Sequence, residues 1–347
     1  MKKISALLFL VLLMVVGLSA CRANELVTLR LMTHDSFDIS AETMARFTEE
    51  TNISVDVFKA GDAGAMVNMA ALAADDPLAD VMFGVDNTFL SRALNNDIFI
   101  PYESSGLDQV RNDLKLDPQF RALPVDFGDV CLNYDRQWFA KNSLEPPQSL
   151  DDLIDPAYAG LTVVENPATS SPGLAFLLAT VVTYGEGGYL DYWQKLTDND
   201  VLVTDGWEDA YYGAFSAASD GDRPIVVSYA SSPAAEVYFA ETEIEEAPTA
   251  AVVSDGSCFR QVEFVGVLKG TELEAEAKLL VDFLLSRPFQ EDIPLHMFVF
   301  PANEEAELPT VFLEHSQVPQ NPATLSSENI ATNREMWVQA WTETVIR

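Results

Sequence analysis

The residues with most chemistry to offer lie between Val201 and Ala235. Asp205-Gly206 turns the chain just before Trp207, and Tyr211, Tyr212, Phe215 and Ala218 follow at helical spacing. An apolar run from Pro224 to Tyr229 then enters Ser231-Ser232-Pro233, which reads as a helix start with hydroxyls at the cap and proline in the first turn. The same Ser-Ser-Pro triplet stands at 170–172, after Asn166-Pro167-Ala168-Thr169. Two helix starts of this kind suit an anion, and the indole beside them suits a flat ring. Core packing for Trp207 and ordinary capping for the serines are the plainer readings of the same residues.

The elements that must position these groups alternate between strand and helix. Leu26 to Met32, Ile53 to Phe58 and Asp80 to Val85 read as strands, each followed by a loop and an amphipathic or alanine-rich helix. That βαβαβα run predicts a parallel sheet with helical crossovers. Pro124 to Tyr134, Leu161 to Glu165, Val201 to Thr204, Pro224 to Tyr229 and Gln261 to Leu268 read as further strands. Helices are expected over 272–285 and at the C-terminus, where Trp337 and Trp341 form a packing stripe. In open α/β sheets, small ligands bind at the loops beyond the carboxyl ends of the strands.

At 347 residues, 48% of them apolar, the chain can hold one large or two medium cores. Its formal charge of −34 argues against nucleic acid and against an anionic membrane face. The acids are scattered, which fits a solvated surface. Residues 1–20 read as a signal peptide, with Lys2-Lys3 ahead of the apolar run Ile4 to Val16. Leu18-Ser19-Ala20-Cys21 resembles the bacterial lipoprotein box, so Cys21 is the expected lipidated N-terminus. Only Cys131 and Cys258 remain, in a compartment that permits a disulfide, and spacing alone leaves their pairing open. Three histidines and no CxxC give a metal site little to work with, so neither metal nor cofactor is expected.

Taken in order, Thr33-His34-Asp35-Ser36-Phe37, Gly84-Val85-Asp86-Asn87, Pro146-Pro147-Gln148-Ser149-Leu150, the 166–173 loop, Thr204-Asp205-Gly206-Trp207, Ser228-Tyr229-Ala230-Ser231-Ser232-Pro233, Gln261-Val262-Glu263 and Phe298-Val299-Phe300-Pro301-Ala302-Asn303 resemble the thiamine-binding solute receptors of bacterial ABC importers. The resemblance implies an α/β, two-lobed type II periplasmic binding protein fold with hinge strands and a ligand cleft. It implies a first lobe of 26–124 plus 263–347 and a second of 125–262. The crossing strands would lie near Asp126–Tyr134 and Phe259–Phe264, which puts both cysteines close to the hinge.

By the same resemblance, Thr169, Ser170, Trp207 and Tyr229 match phosphate-side loops. Asp35, Ser36, Asp86 and Asn87 match polar loops at the ring end. His34 and Phe298 occupy positions where the family pattern has tyrosine and tryptophan, and Ala235 replaces a further tyrosine, for which Tyr238 is a candidate substitute. The implied ligand is thiamine or a thiamine phosphate. The implied partners are an ABC permease with its ATPase, and the membrane through the N-terminal lipid; a monomer is expected.

No GxSxG, Walker loop, HExxH or strand-following GxGxxG is present, so catalysis is not expected. The alternative is a receptor of the same fold for ferric iron, a polyamine, sulfate or a phosphorylated pyrimidine. Tyr211-Tyr212 invites the iron reading, although their helical setting suggests one packed and one exposed ring.

Overall fold

The computed structural model describes residues 26–74 and 76–346; the signal segment and Cys21 lie outside the described residues. In chain order the strands and helices of the first part are β1 (Val27–Thr33), α1 (Ala41–Thr51), β2 (Ile53–Lys59), α2 (Ala63–Leu72), β3 (Val81–Asp86), α3 (Leu90–Asn95) and β4 (Phe99–Ile100). Then come β5 (Leu123–Asp135), α4 (Arg136–Asn142), β6 (Thr162–Glu165), α5 (Ser171–Tyr184), α6 (Tyr189–Asp198), β7 (Leu202–Thr204), β8 (Ile225–Tyr229), α7 (Ser232–Tyr238) and β9 (Thr249–Val252). The chain ends with β10 (Phe259–Leu268), α8 (Glu274–Leu285), α9 (Arg287–His296), β11 (Phe300–Pro301), α10 (Thr310–His315) and α11 (Ser327–Val345).

The strands join in the order β2-β1-β3-β10-β5-β8-β6-β7. β1 pairs in parallel with β2 and β3, as the βαβαβ pattern requires. β6 pairs in parallel with β7 and β8 on the far side. Between these groups run two long strands, β5 and β10, antiparallel to each other. β10 bonds β3 through its later residues, whereas β5 bonds β8 and β9 from Val130 onward. One end of this strand pair therefore belongs to each parallel group. A disulfide ties Cys131 in β5 to Cys258 just before β10, with Cα atoms 4.3 Å apart. The thiols that spacing left open are thus paired beside the crossing.

The core follows the apolar runs. β3 is buried at every position, so it must be covered on both faces. α5 is buried from Ser171 through Val181, and its run from Pro172 to Ala179 has no polar side chain to offer water. Trp337 and Trp341 of α11 are buried, and Trp341 meets Trp193 of α6 edge-on with centroids 5.5 Å apart. The packing reading of that tryptophan pair holds.

Two local expectations change. The segment after Trp207 is not an α-helix running to Ala218 but a π-helix, Asp209–Ala214, closed by Phe215 N–H donating to the Ala210 carbonyl at 2.9 Å. Single π turns of this kind often lie beside functional sites, because they reset which face each side chain takes. The chain after Ser286, for which no element was expected, forms α9. Its Ser286-Arg287-Pro288 start carries the same serine-then-proline signal that marks the other helices.

Candidate functional site

A cavity of about 780 Å³ opens where β5 and β10 cross between the two strand groups. That size suits a small organic molecule. One wall is aromatic. Trp207 stacks on Tyr211 with centroids 4.9 Å apart and planes 24° apart, and Tyr212 meets Trp207 edge-on at 5.5 Å. The indole is fixed by its own N–H, which donates to the Ser228 hydroxyl at 2.9 Å. Ser228 in turn contacts the Ser232 hydroxyl at 2.9 Å. The Tyr211 hydroxyl donates to Glu236 at 2.6 Å, and burial pushes its pKa well up. Tyr211 is 3% exposed and Tyr212 58%, so the tandem tyrosines divide into one packed and one open ring.

Phe298 and Phe239, with centroids 5.2 Å apart, also line the cavity. Phe298 holds a positive φ of 54°, and its carbonyl accepts from the Ser231 hydroxyl. Both features hold the ring toward the cavity. Phe239, rather than Tyr238, joins Phe298 in lining it.

The floor is a polar chain along β8, β10 and the loop after β1. The Tyr229 hydroxyl donates to Gln261 Oε1 at 3.1 Å, and Gln261 Nε2 donates to Glu263 Oε1 at 3.3 Å. Glu263 Oε2 lies 3.3 Å from His34 Nε2. Burial lowers the His34 pKa, but Glu263, with smaller help from Asp62 and Asp35, more than offsets this and holds it above the usual imidazole value. The close fit depends on two glycines. A Cβ at Gly128 would sit 2.8 Å from the Tyr229 ring, and one at Gly84 would sit 2.2 Å from His34 Cδ2.

Below this floor, three acids stand in register on three neighbouring strands. Glu263 of β10 pairs with Asp86 of β3 on one side and Asp126 of β5 on the other. The ladder shifts register close to Glu263 on both sides, the kind of irregularity that re-aims a side chain. Burial raises Asp86 to about 7 despite its bonds from Thr88 and the Phe89 N–H. Burial, aided by Glu263, raises Asp126 well above the usual range.

The residues singled out from sequence separate into two groups. His34, Ser36, Trp207, Tyr229 and Phe298 line the cavity. Asp35, Asp86, Asn87, Thr169 and Ser170 do not. Asp35 accepts from the Gly61 N–H at 3.0 Å. Asp86 is spent on the start of α3 and on the Ser171 hydroxyl. Asn87 bonds Arg260 and Val262 of β10 through its amide, and Thr169 donates to the Asp205 carbonyl at 2.6 Å. Ser170 caps α5 by accepting from Gly173 N–H. These five brace the loops around the cavity. Of the two capped helix starts expected, only that of α5 has its cap bond: Ser231 makes none, because its hydroxyl is drawn to Phe298.

Asp62, Glu236 and Phe239 also line the cavity and were not singled out; Tyr211, Gln261 and Glu263 line it too and stood in the sequence reading only in the tandem tyrosine and the Gln261-Val262-Glu263 motif. Gln261 and Glu263 carried a signal, polar residues inside an otherwise apolar strand. Asp62 carried the Asp-Ala-Gly signature of a helix cap, which it is.

Residues 76–319 match the family described as bacterial extracellular solute-binding protein. The chain belongs to that family. This solute-binding protein is 30% identical, over 98% of both chains, to the thiamine-binding periplasmic protein of Brucella suis biovar 1 (strain 1330). Among solved structures it resembles a periplasmic thiamin binding protein, with a TM-score of 0.79, 26% identity, and coverage of 92% of this chain and 96% of that one. It also resembles the ferric binding protein from Campylobacter jejuni, with a TM-score of 0.73, 16% identity, and 91% and 99% coverage, a likeness of fold alone. The fold is the two-lobed type II periplasmic binding protein architecture with its cleft between crossing strands. The relatives it matches are periplasmic binding proteins.

Proposed function

We propose that this protein is the receptor of an ABC importer and captures thiamine or a thiamine phosphate between its two lobes. The observation that carries this reading is the pairing of an aromatic wall, Trp207 on Tyr211, with carboxylates at Asp62, Glu236 and Glu263 around one cavity. A flat cation gains from both. Stacking and cation–π attraction contribute about 0.5–2 kcal/mol, and a nearby carboxylate offsets the desolvated charge. His34, Ser36, Tyr229 and Phe298 complete the ring contacts, while Asp35, Asp86, Asn87, Thr169 and Ser170 hold the loops in place. The relatives named for thiamine support the same ligand.

In this reading the first lobe is 26–124 plus 263–347 and the second 125–262, with β5 and β10 as the hinge. Phe298 and His34 then face Trp207 and Phe239 across the cleft, so only a ligand touching both lobes favours closure. The closed monomer docks on a permease driven by a separate ATPase, and a lipid on Cys21 keeps it at the membrane. Titrating intrinsic tryptophan fluorescence with thiamine tests the ligand: a saturable change at micromolar concentration or below is expected. A silent titration together with a red charge-transfer band on adding ferric ion would replace this reading with iron.

A further inference from the structure

The charges around the cavity carry more than a ring-binding site. Asp62, Glu208, Glu236, Glu241 and Glu263 line it, and the only basic side chains among its lining residues are the imidazoles of His34 and His296. Neither lysine nor arginine is among them. His34 is tied to Glu263, and His296 lies between Asp38 at 2.9 Å and Asp292 at 3.6 Å.

The serine hydroxyls at the starts of α5 and α7, which would suit an anionic tail, are already in use. Ser171 and Pro172 bring the start of α5 to the cavity, but the carboxylate of Asp62 faces the Ser171 N–H and the Ser170 hydroxyl there. A Cβ on Gly206, in the turn before Trp207, would lie 3.4 Å from Asp62 Oδ2, which places that carboxylate against the aromatic loop. The Ser171 hydroxyl donates to Asp86, the Ser231 hydroxyl to Phe298, and Ser232 is engaged with Ser228 and the Tyr229 N–H. Asp62, whose Oδ1 caps α2 by accepting from the Ala63 N–H at 2.6 Å, thus sets a carboxylate beside that helix start, where it would repel an external phosphate.

We propose that the cavity selects an aromatic organic cation with an uncharged tail and discriminates against its phosphate esters. This rests on the thiamine reading above and narrows it. A phosphate would bring up to two negative charges against several carboxylates, with no guanidinium or ammonium in the lining to receive them. Asp62 is the residue that sets the preference, by holding a carboxylate beside the start of α5.

Calorimetry on the full mature chain at low salt, with thiamine, thiamine monophosphate and thiamine diphosphate, is the test. Thiamine should bind at least about tenfold more tightly than the monophosphate, with the diphosphate weaker still, and added salt should narrow the gap. Asp62→Asn should narrow it further by weakening thiamine and strengthening the monophosphate. Glu241→Gln, at an exposed rim position, should give a smaller change in the same direction and serves as the test if the Asp62→Asn variant fails to fold. Monophosphate binding as tight as thiamine in the wild type would overturn this inference alone. Absence of binding by all three compounds would overturn it together with the thiamine reading.

Discussion

Trp207→Ala is the perturbation whose size can be worked furthest. The substitution removes the ring that stacks on Tyr211 at 4.9 Å and the N–H that donates to Ser228. A ligand ring against that face loses an aromatic contact of about 0.5–1.5 kcal/mol and cation–π attraction of similar size. Together these predict a loss of about 1–3 kcal/mol, or roughly 5- to 150-fold in Kd. Trp207→Phe keeps a ring face and should lose much less. Trp207 is the only one of the five tryptophans among the lining residues, so the ligand-induced fluorescence change should vanish in both variants while calorimetry still reports binding. Thermal melts separate lost affinity from lost folding. A correctly folded Trp207→Ala protein with unchanged affinity would refute the role of the aromatic wall.

Three further outcomes follow from the same geometry. Asp86 is raised to about 7 by burial, so the folded state holds a proton that the unfolded chain releases near the ordinary aspartate value. Its contribution is therefore present in acid and lost as pH climbs toward 7, a span on the order of 4 kcal/mol; Asp86→Asn should flatten the pH dependence of Tm between about pH 4 and 7. Reducing the Cys131–Cys258 bond, which closes a loop of sequence separation 127, should cost up to roughly 5 kcal/mol of stability, read by denaturant melts with and without reductant. Gly84→Ala should destabilise the fold and weaken ligand binding, because φ at Gly84 is +96° and the added Cβ meets the His34 ring; wild-type affinity in that variant would remove His34 from the ligand contacts.

Periodicity and punctuation made most of the scaffold legible. The apolar runs at β1, β2 and β3, with a helix after each, could fold in few other ways, and the parallel pairing follows. The Ser-Ser-Pro starts of α5 and α7 were visible for the same reason. What the hydroxyls bond was not visible, because it is decided by strands far away in sequence: Ser171 turns to Asp86, and Ser231 turns to Phe298. Asp86 matched a polar loop at the ring end of the site, yet it is fully buried at the start of α3. Glu263 was hidden inside a strand that reads as core, and only the register with Asp86 and Asp126 shows that three acids meet there. Trp207 was legible because a large ring after a Gly turn has few places to go, whereas Phe239 depended on where α7 stops.

The proposed capture depends on two lobes closing over a ligand that touches both. Small-angle scattering of the mature protein, recorded with and without saturating thiamine, measures that directly. A fall in the radius of gyration that follows the calorimetric saturation curve is predicted, and in Trp207→Ala it should shift to higher thiamine concentration in step with the weaker Kd. An unchanged profile at full calorimetric saturation would contradict closure, and the cavity would then be a preformed site that fills without moving the lobes.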